Sequence, residues 1–161
     1  MVCAAHLTIF CSLLRSSSIL AIITGKAGVG KSYLAMHIQE LVSKSDGYFL
    51  CAKYDQSQDC FPLTTISALF NCYIEIFSRD ASDAQLKMVN EALESALGVQ
   101  AGFLLGILPS LAQLMPSTSA LGNSICIDSA MSIVFLFCEL LRVISSHTSR
   151  HISFFLDDLQ W

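Results

Sequence analysis

The segment Gly25-Lys26-Ala27-Gly28-Val29-Gly30-Lys31-Ser32 matches G-x-x-x-x-G-K-[ST] at every fixed position. Residues 18–24 before it are apolar and β-branched, and Leu34, Ala35, Ile38 and Leu41 after it recur at helical spacing. The predicted order is strand, loop, helix. Glycines at these positions let backbone N–H groups turn inward around phosphate oxygens, and the N-terminus of the following helix adds a partial positive charge. All eight residues, 25 to 32, are therefore candidate contacts for a nucleotide's phosphates. Lys31 would reach the β- and γ-phosphates as a point charge, and the Ser32 hydroxyl would hold the bridging Mg²⁺.

The rest of the composition limits what such a loop can serve. A chain of 161 residues is long enough for one domain with a core that needs neither disulfides nor metal. Hydrophobic residues make up 53% and charged residues 14%, which is apolar for a chain that must cover its own surface. The net charge is -4 and the nine Lys and Arg are scattered singly, so no basic stripe for nucleic acid and no polybasic membrane anchor is present. Seven cysteines form no C-x-x-C pair and sit mostly in apolar surroundings, the usage of a reducing, cytoplasmic (intracellular) setting. Residues 1–17 lack Lys or Arg ahead of their apolar run, unlike a secretion signal, and are read as a helix or a poorly ordered lead-in. The domain proper is expected over 18–161.

Further along, residues 48–54 (YFLCAKY) read as a second strand and 63–78 as a helix on the repeat of Ile66, Leu69, Phe70, Tyr73, Ile74 and Phe77. Asp80 or Ser82 caps a helix whose apolar face is Leu86, Val89, Leu93 and Leu97. Residues 95–127 contain no charge, and Gly98, Gly102 and Gly106 recur every four positions. Gln100, Gln113, Pro109 and Pro116 disfavour a membrane span there, so a tightly packed buried helix is expected. Residues 129–146 are amphipathic and helical, and 152–156 (ISFFL) read as a parallel strand buried on both faces.

That last strand runs into Asp157 and Asp158. A phosphate loop needs a carboxylate to hold Mg²⁺, directly or through water, and the tip of a neighbouring strand supplies one. Asp157 stands at that tip, and Asp158 would point toward the γ-phosphate and orient or deprotonate an attacking water. The nucleotide is read as ATP, because Gln160 stands where a GTPase carries glycine and no Asn-Lys-x-Asp guanine reader occurs.

GKAGVGKS, the K-Y-D-Q of 53–56, the A-L-G…L-P-S-L stretch of 96–111 and the F-L-D-D-L-Q-W of 155–161 together resemble the AAA ATPase domains of the STAND type, also called origin-recognition-complex-like. The resemblance implies an α/β P-loop NTPase fold: a three-layer sandwich with a mainly parallel sheet, here expected to be incomplete at its C-terminus. It carries over Gly25, Gly28, Gly30, Lys31 and Ser32 as the nucleotide loop, and Asp157 and Asp158 as the metal and water pair. It further implies an ATP-driven switch within a multidomain signalling protein, with other domains or protein partners attached. Two other readings stay open at this point. One is a phosphotransferase acting on a small acceptor, which the four arginines supply poorly; the other is a truncated fragment without function.

Overall fold

The computed structural model describes residues 6–11, 19–26, 28–54, 63–117 and 130–158. Its elements are β1 (His6–Cys11), β2 (Ile19–Thr24), α1 (Lys31–Lys44), β3 (Tyr48–Lys53), α2 (Thr64–Asp80), α3 (Asp83–Leu97), α4 (Ala101–Ile107), α5 (Ala130–Ser146) and β4 (Ile152–Asp157), with 3₁₀ turns at Gly98–Gln100 and Pro109–Gln113 flanking α4. The chain divides into two compact units, Met1–Leu41 and Val42–Trp161.

In the first unit β1 and β2 pair antiparallel over their whole length, from His6↔Thr24 to Cys11↔Ile19. This corrects the expected helix or lead-in over 1–17, as far as that segment is described. The physical reason lies in HLTIFC itself: Thr8, Ile9 and Phe10 favour extended backbone, and pairing with ILAIIT occupies a strand edge that would otherwise be open. Within residues 28–41 Ala35 is buried.

The second unit holds the core and the parallel ladder. β3 and β4 pair in parallel from Tyr48↔Ile152 to Lys53↔Asp157, and nearly all of the described chain between them is helical. The result is the expected α/β class with a parallel sheet. α2 buries Leu69, Phe70, Tyr73, Ile74 and Phe77 on one stripe, and α3 adds Val89, Leu93 and Leu97. Leu136, Leu140 and Ile144 of α5 close the cluster, and Phe70 lies edge-on to Phe137 at 4.8 Å and stacked on Phe154 at 5.9 Å. α3 starts at a capping box: the Ser82 hydroxyl accepts from the Gln85 N–H, and the Gln85 side chain accepts from the Ser82 N–H. β4 is half-buried along its length rather than buried on both faces, since β3 is its single strand neighbour among the described residues.

In its described part, to residue 117, the uncharged stretch does not form the single tightly packed helix expected of it. Gly98 ends α3 at φ 50, the chain tightens into 3₁₀ turns on both sides of the seven-residue α4, and a Cβ on Gly106 would meet nothing within 4 Å. Gly98 serves termination, and Gly106 makes no close approach. What buries the stretch is leucine: Leu104, Leu108 and Leu111 are fully enclosed. Polar anchoring comes from α2, where Asn71 Oδ1 accepts the Ser110 N–H at 3.0 Å and Glu75 Oε1 accepts the Ser110 hydroxyl at 2.8 Å. Ser110 of the L-P-S-L stretch is thus a packing residue. Among the described residues, no helix is long and apolar enough to cross a membrane.

The turn from α1 to β3 is made by a Schellman pattern, with the Gly47 N–H on the Val42 carbonyl at 2.9 Å and the Asp46 N–H on the Ser43 carbonyl at 3.2 Å. Asp46 takes the left-handed position usual for glycine, at φ 55, and its carboxylate meets Arg150 Nε at 3.1 Å. Arg150 also pairs with Asp80 and donates to the Tyr48 hydroxyl at 3.2 Å, tying the starts of β3 and β4 to the end of α2. A Cβ on Gly47 would lie 2.8 Å from Val42 Cγ1 and 3.1 Å from the His151 carbonyl oxygen. Gly47→Ala is therefore expected to destabilise the fold by about 1–3 kcal/mol, read as a lower urea midpoint at unchanged slope.

Candidate nucleotide site

The loop between β2 and α1 adopts the conformation its residue types imply. Gly28 and Gly30 have φ of 79 and 97, a region closed to most side chains, and neither would meet a neighbour within 4 Å if given a Cβ. Their requirement is conformational. Gly25 differs, since a Cβ there would stand 3.0 Å from Val29 Cγ1, a tight contact for which the valine side chain would have to shift. The Val29 N–H reaches the Lys26 carbonyl at 3.4 Å, and the Leu34 N–H bonds to the Gly30 carbonyl at 3.0 Å as α1 begins.

Lys31, the first residue of α1, turns back over this loop. Its Nζ donates to the carbonyls of Gly25 at 2.9 Å and Lys26 at 3.1 Å, which holds the ammonium at the loop rather than in solvent beside the helix. Ser32 follows on the exposed first turn, where no acidic residue offsets the helix's positive end. Ala27 lies outside the described residues. Positive-φ glycines, an inward lysine and an uncompensated helix start fit a phosphate group, and the fit extends to a magnesium ion through the hydroxyl of Ser32.

The carboxylates belong to the second unit and are described within it. Asp157 ends β4 opposite Lys53, and the Tyr54 N–H bonds to the Asp157 carbonyl at 3.1 Å, so the ladder is closed to its last residue. Asp157 Oδ1 accepts the Asp158 N–H at 3.0 Å. Asp158 itself sits at φ 56, a left-handed conformation that Asp tolerates better than most residues. Its Oδ2 stands 3.2 Å from Lys53 Nζ.

The structure thus gathers Gly25, Lys26, Val29, Gly30 and Lys31 into one loop, and Asp157, Asp158 and Lys53 at one strand end. Sequence reasoning placed Lys53 only within a motif of resemblance and gave it no role. The β3–β4 register, which brings it beside Asp158, is not written in either segment alone. His147, just past the end of α5, has Nδ1 2.8 Å from the Val143 carbonyl oxygen of that helix.

A family model described as AAA ATPase domain matches residues 5–161. Neither a curated protein nor a solved structure matches the chain. The family match spans both the glycine loop with its inward lysine and the aspartates at the end of β4, together with every helix between them, and the chain accordingly belongs to the AAA ATPase domain family, a P-loop NTPase of the AAA type.

Proposed function

We propose that the chain is an ATP-binding switch module of the STAND type, working with Mg²⁺ inside a larger signalling protein whose other domains or protein partners respond to the nucleotide state. Lys31 contacts the β- and γ-phosphates, backbone N–H groups of residues 25–32 surround them, and Ser32 and Asp157 hold the magnesium ion. Asp158 orients or deprotonates the water that attacks the γ-phosphate. The observation that carries the reading is the loop's geometry: two glycines at positive φ and an ammonium drawn onto the loop carbonyls, in a chain of the AAA ATPase family. Magnesium held by one or two protein groups takes its remaining ligands from phosphate oxygens and water.

The test is equilibrium binding of a fluorescent ATP analogue, with and without Mg²⁺, and with GTP as competitor. Binding is expected at about micromolar Kd, with ATP displacing the probe at lower concentration than GTP. Asp157→Ala is expected to remove the Mg²⁺-dependent gain, about tenfold, and to leave metal-free binding unchanged. Equal displacement by GTP would remove the adenine assignment, and an undiminished magnesium effect in Asp157→Ala would remove Asp157 from the metal.

A further inference from the structure

We propose that Lys53 is a positioning residue for Asp158, holding the carboxylate that acts on the attacking water; the assignment rests on the role given to Asp158 above. The two residues come from segments far apart in sequence, and the parallel register Lys53↔Asp157 places them at one strand end. Beyond Asp157 the ladder stops and the backbone leaves the extended conformation, with Asp158 at φ 56. A side chain one residue past a strand, on such a backbone, has no ladder to fix its direction. Contacts do so instead, among them the Asp158 N–H on Asp157 Oδ1 at 3.0 Å and the Asp158 carboxylate on Lys53 Nζ at 3.2 Å. The first orients the backbone and the second the side chain. With Lys53 68% and Asp158 30% exposed, a pair of this kind adds little to fold stability. Its consequence is orientation of Oδ2, and a base displaced by about 1 Å from its water loses much of its effect.

The first readout needs no nucleotide. With lysines reductively ¹³C-methylated, the Lys53 signal, identified by its loss in Lys53→Arg, is expected to shift in Asp158→Asn; an unmoved signal would overturn the pair. The second is steady-state ATP turnover. Lys53→Met is expected to lower kcat about tenfold with KM within about twofold, Lys53→Arg to recover most of the loss, and Lys53→Met to add nothing in an Asp158→Asn background. An equal loss in both backgrounds means a merely structural lysine, and faster turnover in Lys53→Met means a restraint; either overturns the assignment, as does a native chain that binds Mg-ATP without turning it over. Failure to bind Mg-ATP at all would overturn the nucleotide reading itself, which separates the two failures.

Discussion

Lys31→Ala is expected to weaken Mg-ATP binding by about 100-fold, close to 3 kcal/mol, while leaving the thermal midpoint within about 2 °C of the native chain. Two losses combine. The alanine removes the ammonium that would meet the β- and γ-phosphates, and it releases the carbonyls of Gly25 and Lys26 that the ammonium now draws together. Lys31→Arg keeps charge but replaces a compact ammonium by a planar fork, so it is expected to recover only part of the affinity. The midpoint should hold because the buried cluster runs from Tyr48 to Ile144 and contains nothing of the loop. Titration with a fluorescent ATP analogue, paired with a melting curve, checks both halves. A variant that binds as the native chain does would remove Lys31 from the phosphates, and one that melts far earlier would make the loop part of the folding core.

Phe77→Ala carries the opposite signature, a destabilisation of about 3–5 kcal/mol and a midpoint about 10 °C lower. Phe77 is 2% exposed on α2 and sits 6.5 Å, ring to ring, from Tyr73, which is itself fully buried. Removing its ring leaves a cavity among side chains anchored on helices and strands, and these can close it only in part. The neighbour supplies the control. Tyr73's hydroxyl is enclosed with no hydrogen-bond partner, and burial pushes its pKa well above the ordinary tyrosine value. Tyr73→Phe keeps the ring and removes the unmet hydroxyl, so it is expected to be neutral or stabilising by about 1 kcal/mol. Urea unfolding of the three chains decides the matter. A Tyr73→Phe variant as unstable as Phe77→Ala would mean that the hydroxyl is bonded after all.

The glycine loop was legible because its requirements are local. The positive φ of Gly28 and Gly30 and the return of Lys31 onto carbonyls five and six residues earlier depend on residues within one loop. The helices were legible for the same reason: the three-and-four repeat along α2 and the Ser82–Gln85 capping box are written within a few turns. Residues 95–127 show the limit of that logic. A glycine every fourth position suggests helix packing, yet Gly98 serves to end a helix and Gly106 faces open space. A repeat identifies small residues, not what lies opposite them.

What the sequence by itself determined is the loop with its lysine, the family to which that loop and the paired aspartates point, the order of strands and helices among the described residues from 19 onward apart from the uncharged stretch, and the α/β class. Tertiary structure alone decided that β1 is a strand laid antiparallel on β2, that Ser110 is held by Asn71 and Glu75, that Arg150 joins Asp46, Tyr48 and Asp80, and that Lys53 stands beside Asp158. The division follows from chain separation. Backbone conformation and helical periodicity are set by neighbours along the chain. Register, ion pairs and strand partners are set by which distant segments meet when the apolar faces are buried, and no single segment contains that information.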